Sequence, residues 1–296
     1  MGNNRLILLV IETVSGILVI LVAHQRHCLE ETNMTQYCIA VHGAAGRMGQ
    51  RLVTLISQDK EAYVGAAIEM PGHLRLGCDA GAIAGIGAIG VPITETLSEK
   101  VDVVIDFSTA TAVDRVLAIC VMHKVPLVLA TTGLSPQQEL TVREASRTIP
   151  ILWTPNMGLA VNVALKLAQV AAKLLAGQHV DVEILERHHR YKVDAPSGTA
   201  LKFGEIIANE MGQTKFKHGR EGITGLRPAD EICYHAIRIG DNPGEHTIIF
   251  SMLGDLIEIT VRVTNRDCYA FGAIAASKFL IGRAAGLYSM NDVLGI

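Results

Sequence analysis

Residues 186–200 concentrate the side chains most able to do chemistry: Glu186, His188, His189, Lys192, Asp194, Ser197, Gly198 and Thr199 fall within fifteen positions. Two adjacent imidazoles stand four and three residues before a lysine. Imidazole moves protons near neutral pH, and a lysine supplies a fixed positive charge. The run from Ala200 to Ala208 reads as a helix, with Ser197 placed to cap it. Free N–H groups at such a helix start bind anions. Together these parts suit a small acidic substrate that is protonated as it reacts. Taken singly, each has a structural reading: a lone histidine is commonly a satisfied core or surface residue, and Ser-Gly-Thr is commonly a cap. It is the whole block that points to chemistry.

Elements on both sides must hold this block in place. The strand before it, residues 180–186, alternates apolar and polar side chains. A helix is expected over 162–175, and three strands over 231–239, 245–252 and 255–264. Their short turns imply an antiparallel or mixed sheet. Three adjacent strands also leave a sheet face that self-association would cover. A last helix, 269–285, is expected to pack back on the first half of the chain. That first half opens with a strand at 38–41, the turn Gly43 to Gly49, a helix burying Leu52, Val53, Leu55 and Ile56, and a strand at 63–68 ending in Glu69. This is a strand–glycine turn–helix–strand–acid unit of the dinucleotide-binding kind, with Glu69 placed for ribose hydroxyls. Ala45 stands where the common fingerprint has glycine. Strands at 101–107, 126–130 and 151–153 alternate with helices at 112–123 and 136–147. The expected architecture is therefore α/β: a Rossmann-type doubly wound parallel sheet plus a second α+β domain with a mixed sheet used for oligomerisation. Ligands of such sheets sit at the carboxyl ends of the strands. This puts Phe107, Ala130, Thr131, Thr132 and Asn156 at the nicotinamide end. The expected organisation is an apolar extension at 1–33, a dinucleotide-binding domain at 34–160, a substrate and oligomerisation domain at 161–266, and a returning helix at 267–296.

The 296-residue chain has a net charge of −3 and only 4% aromatic residues. Without a basic stripe interleaved with aromatics, nucleic acid is not an expected partner. Six cysteines are scattered without a Cys-x-x-Cys pair, which suits a reducing compartment. No metal constellation is visible. The small-residue stretch 80–90 reads as a flexible surface loop. Residues 6–23 are strongly apolar but interrupted by Glu12, Thr13, Ser15 and Gly16. They read either as a membrane anchor or uncleaved signal, or as a segment outside the working protein, which would then start at Met34. The second reading is favoured, so a cytoplasmic location without stable membrane association is expected.

From about Gln36 to the C-terminus the chain resembles the dihydrodipicolinate reductase family. The carriers are residues 43–49, Asp106 with Phe107, residues 130–133, the 186–200 block, residues 220–227 and 238–246, and the terminal Asp292 to Leu294. The resemblance implies reduction of a cyclic unsaturated imine dicarboxylate with NADH and/or NADPH in lysine and diaminopimelate biosynthesis, by a homotetramer. It makes His188 the acid/base residue, Lys192 a second proton donor and His189 a substrate contact. Ser197, Gly198 and Thr199 become the carboxylate-binding loop. Gly43, Ala44, Ala45, Gly46, Arg47, Met48, Glu69, Ala130, Thr131, Thr132, Thr154, Pro155, Asn156 and Met157 match cofactor positions. Two departures stand out: Ala130, where the family often has glycine, and Met70 after the ribose acid, where many members have a base. NADH is therefore expected to serve at least as well as NADPH, unless Arg47 supplies the missing cation. A nucleotide-sensing protein without turnover and a different imine reductase are the alternatives.

Overall fold

The computed structural model describes residues 10–14, 17–21 and 36–296. The first of its two units holds β1 (Val10–Val14) and β2 (Ile17–Leu21), which pair antiparallel. The expected start at Met34 and the rest of the 1–33 extension lie outside the described residues. Among the described residues, no helix is long and apolar enough to cross a membrane.

The second unit runs from Gln36 to Ile296. It begins with β3 (Tyr37–His42), α1 (Arg47–Ser57), β4 (Ala62–Ile68), α2 (Ala80–Ile83) and β5 (Ile93–Thr94). Next come β6 (Val103–Asp106), α3 (Val113–His123), β7 (Leu127–Leu129), α4 (Pro136–Ala145) and β8 (Pro150–Trp153). After α5 (Leu159–Leu175) come β9 (Asp181–His188), α6 (Gly198–Met211), β10 (Lys215–His218), β11 (Glu231–Arg238), β12 (Gly244–Ser251) and β13 (Leu256–Val263). The chain closes with α7 (Asp267–Leu280), β14 (Gly286–Tyr288) and α8 (Met290–Leu294).

Seven strands form one parallel sheet in the order β14-β8-β7-β6-β3-β4-β5. β6 and β7 are buried throughout, as expected of strands covered on both faces. Ile39, Val41, Leu52 and Ile56 share one layer with Ala273 and Leu280 of α7. Ala40, Ile68 and Val104 share the other with Val116 and Cys120 of α3. The strand order reverses between β3 and β6, so the crevice opens above their carboxyl ends. Five strands form a mixed sheet, β10-β11-β9-β12-β13, parallel from β10 to β9 and antiparallel from there to β13. α5 and α6 cover one of its faces through Ala164, Ala168, Phe203 and Ile207, packed on Val182, Ile184, Ile248 and Phe250. The doubly wound sheet and the mixed second sheet are thus both present. The last helix does pack on α1 and the first sheet, held by Arg51–Asp267 and Lys278–Asp59 ion pairs, each at 2.8 Å.

Two expectations change, and one strand is new. Residues 80–90 are no flexible loop: Asp79 accepts from Ala82, Ile89 and Gly90 N–H groups, and one carboxylate thereby ties both ends of the stretch. A Cβ on Gly81 would meet Gly87 O at 2.4 Å, so the small residues are there for close packing. The final helix stops at Leu280 rather than 285, because the chain turns at Gly282, whose φ is +77°. Beyond it β14 adds an edge strand to the first sheet that the pattern did not reveal.

Candidate active site

A cleft of about 1520 Å³ takes residues from the carboxyl edge of the first sheet and from the 188–199 segment. All the expected site residues line it except Ala44, which is buried in the core beneath the glycine turn.

The glycine turn is built to let something approach. Gly43 has φ +78°, and a Cβ there would meet Phe107 O at 3.0 Å. A Cβ on Gly49 would meet Gly43 O at 2.0 Å, so α1 rests directly on the turn. Ala45 causes no strain, since Lys124 is the only non-glycine described with positive φ. Its N–H donates to Glu69 Oε1 at 2.9 Å, which fixes the buried acid at the end of β4. Turn, helix start and acid fit a dinucleotide, with backbone N–H groups for its pyrophosphate and Glu69 for its ribose. Arg47, exposed at the first position of α1, makes no ion pair among the described residues. Below the turn, Asp106 accepts from His42 Nδ1 and from Thr131 Oγ1, both at 2.5 Å. This buried trio ties together the ends of β3, β6 and β7 and spends the Thr131 hydroxyl inside the protein.

Strand alternation builds the acid. On β9, Val182, Ile184, Glu186 and His188 point to the same buried face. A carboxylate only accepts, so His188 Nδ1–H donates to Glu186 Oε2. This leaves Nε2 as the working nitrogen, beside Gly244, where a Cβ would stand 3.0 Å from it. Glu186 is fully buried. Arg238 binds both its oxygens, at 2.8 and 3.0 Å, and Ser197 N–H donates to Oε1 at 3.2 Å. Burial alone would raise the Glu186 pKa, but Arg238 and His188 outweigh it and hold the carboxyl below its ordinary range. Burial pushes His188 below its usual 6.5, against the upward pull of Glu186. A dianionic ligand would act in the opposite direction and favour the imidazolium.

Ser197 is the N-cap of α6, its hydroxyl accepting from Ala200 N–H at 3.2 Å and meeting His246 Nε2 at 3.0 Å. Its own N–H is engaged by Glu186, so the Ser197 backbone donor is not free for a ligand. The N–H groups of Gly198 and Thr199 remain, beside Thr199 Oγ1, which accepts from Asn156 Nδ2 at 3.2 Å. Lys192 Nζ pairs with Asp194 at 2.8 Å. Arg266 Nη2 donates to His189 Nε2 at 3.4 Å.

Glu186, Arg238, His246 and Asp194 received no role from the sequence. Glu186 had a signal, since it lies two residues before His188 on an alternating strand. Burial, reinforced by the nearby His188, pushes His246 down to about 4. An unfolded histidine takes its proton near 6.5. Stability is therefore expected to fall as pH drops from about 6.5 toward 4, by up to about 3 kcal/mol, because only the unfolded chain protonates in that window. Urea midpoints against pH test this: His246→Asn should flatten the acid limb, and an unchanged slope would assign it elsewhere.

One cluster outside the cleft has metal-ligand residue types, Glu183, Cys233 and His235, with ligand atoms within 4.8 Å of one another. Arg220 and Arg227 already bind the Glu183 carboxylate, however, and together with His235 hold its pKa down to about 2 against the opposing effect of burial. Two guanidinium groups at a candidate ligand disfavour a cation there.

Residues 37–157 match the family model "Dihydrodipicolinate reductase, N-terminus", and residues 160–294 match "Dihydrodipicolinate reductase, C-terminus". The chain belongs to the dihydrodipicolinate reductase family. A 4-hydroxy-tetrahydrodipicolinate reductase from Rhodopirellula baltica is 52% identical, over 87% of this chain and 96% of that one. Another, from Geotalea uraniireducens, is 44% identical over 87% and 98%. The solved structure of a dipicolinate-bound dihydrodipicolinate reductase from Paenisporosarcina sp. TG-14 superposes with a TM-score of 0.71 at 24% identity, over 87% and 99% of the two chains. As a dihydrodipicolinate reductase family member, the chain is an NAD(P)H-dependent oxidoreductase. The N-terminal model covers the parallel sheet through β8, and the C-terminal model covers the mixed sheet, α7 and β14.

Proposed function

We propose that the protein acts as its relatives named 4-hydroxy-tetrahydrodipicolinate reductase are named to act, and that it reduces a cyclic unsaturated imine dicarboxylate in lysine and diaminopimelate biosynthesis. The observation that carries this reading is His188, which lines the same cleft as the glycine turn and is held from behind by Glu186, itself bound by Arg238. When bound, the nicotinamide supplies the hydride, and the chain supplies orientation and charge. The glycine turn, Glu69 and residues 154–157 would hold the dinucleotide. The N–H groups of Gly198 and Thr199, at the start of α6, would take one substrate carboxylate. Lys192 offsets negative charge that builds on the conjugated imine. His188, its Nδ1 fixed on Glu186, delivers a proton from Nε2 as hydride reaches the other end of the same double bond. The dianionic substrate itself favours the protonated ring that this step needs.

A small dicarboxylate is the substrate class, a reading supported by the dipicolinate bound to the Paenisporosarcina reductase. Residues 34–160 would act as the dinucleotide domain and 161–266 as the substrate and assembly domain, with 267–296 returning to the first. A cytoplasmic homotetramer joined through the mixed sheet is the assembly we propose, since among the described residues α5 and α6 cover one face of that sheet and no helix layer covers the other.

The test generates the substrate in situ and follows loss of reduced nicotinamide absorbance. Oxidation is expected with both cofactors, and NADH should serve at least as well as NADPH, because Glu69 opposes a 2′-phosphate and Met70 offers no cation. No oxidation above background with either would overturn the reading. A large NADPH advantage, lost in Arg47→Ala, would overturn the cofactor preference alone.

A further inference from the structure

Two carboxylates flank the cationic part of the cleft, and the protein holds them very differently. Glu186 is fully buried, with His188, Arg238 and Ser197 N–H all bound to it. Asp194 is half exposed, its side chain 53% accessible, and among the described residues Lys192 is the one side chain that grips its carboxylate. Lys192 is itself only 21% accessible, so its charge is directed at Asp194 rather than spread into solvent. The Lys192 ion pair is also the main influence holding the Asp194 carboxyl below its ordinary range. The Asp194 backbone is anchored, since its carbonyl accepts from Arg238 Nη2. The carboxylate is thus tethered on a fixed backbone but free to swing. Asp194, Lys192, Gly198 and Thr199 all line the same cleft.

We propose that Asp194 is a specificity-determining positioning residue: an internal carboxylate that holds Lys192 within the cleft and must be displaced by the second carboxylate of a dianionic ligand. The inference rests on the substrate reading above and extends it. A ligand with one carboxylate is satisfied by the N–H groups at the start of α6 and leaves the Lys192–Asp194 pair intact. A ligand with two carboxylates places the second against Lys192, and Asp194 turns to water at little cost because it is already half solvated. The pair therefore competes with dicarboxylates alone. It also keeps the lysine charge compensated between turnovers, so that Lys192 is uncovered only when a dianion arrives.

The experiment measures direct binding of dipicolinate (two carboxylates) and picolinate (one) to the full-length protein in the presence of NADH. Wild type, Asp194→Asn, Asp194→Ala, Lys192→Met and the Lys192→Met/Asp194→Asn double variant are compared. Removing the competitor should tighten dipicolinate binding by about 2- to 5-fold, the scale of a partly exposed charge pair, and leave picolinate unchanged. In the Lys192→Met background the same replacement should do nothing. A mere folding defect would weaken both ligands alike. If dipicolinate binds Asp194→Asn no more tightly than wild type, or if the gain survives loss of Lys192, the latch is overturned while the substrate reading stands. If wild type binds dipicolinate no better than picolinate, both are overturned.

Discussion

His188→Ala is expected to lower kcat by about 10²–10⁴, the usual contribution of a positioned general acid. Affinity for NADH should barely change. The glycine turn and Glu69 belong to β3, α1 and β4, whereas His188 ends β9 of the other sheet. The pH dependence should change as well. In wild type the rate is expected to fall as pH rises, because Nε2 must carry a proton and burial keeps the ring pKa below its ordinary value. The variant should lose that limb, its residual rate depending on solvent acid. Steady-state kinetics and fluorescence titration of NADH measure the two quantities separately. Near-normal turnover in His188→Ala would transfer the proton to another group. Loss of NADH binding would show that the two halves of the cleft are not independent.

Glu186→Gln is the second large effect, and it acts on both catalysis and stability. An amide can accept from His188 Nδ1–H or donate to it, so the ring is no longer held in one tautomer. It also cannot satisfy the charge of Arg238, which spans both carboxylate oxygens. We expect kcat to drop by about 10²-fold or more, through an orienting role like that of a triad carboxylate. Breaking a buried ion pair from one side costs about 3–5 kcal/mol. Glu186 has a folded pKa below its unfolded value, so its contribution is present above roughly pH 4.3 and disappears as pH falls further. Urea unfolding at neutral pH should therefore show the full loss, and at strongly acid pH little difference from wild type. Wild-type turnover in a stably folded Glu186→Gln would reduce the cluster to a structural role.

The residues that were legible in the sequence share a physical cause, and so do those that were not. β6 and β7 could be seen because strands buried on both faces carry short apolar runs, Val103 to Ile105 and Leu127 to Leu129. β5 and β14 could not, since two or three residues carry no period. His188, Lys192 and Ser197 stand in one short block and announce themselves. Arg238 and His246 lie about fifty residues away and reach the block only through strand pairing. The register sets Arg238 opposite His188 on β11, and His246 opposite Glu186 on β12. No local pattern encodes that register. The stretch at 80–90 misled for another reason: small residues look mobile until the carboxylate that gathers their N–H groups is identified. Ser197 was read correctly as a cap, and its contacts with Glu186, His246 and Ala200 are why we propose the N–H groups of Gly198 and Thr199 for the ligand.

The return of the C-terminus to the first sheet has a consequence for the order in which the chain can be made. α5 through β13 occupy an unbroken stretch, residues 159–263, and can assemble as soon as that stretch leaves the ribosome. The nucleotide-binding sheet cannot. Its strands β3 to β8 are synthesised first, yet Ala273, Ile274 and Leu280 complete the layer over Ile39 and Val41, and β14 pairs with β8 only at the end. During synthesis the earlier half must wait with an apolar face uncovered, the kind of surface that invites misassembly or chaperone capture. A chain interrupted before residue 267 would lack both pieces. Synthesis must therefore reach its last thirty residues before the first sheet has a finished core.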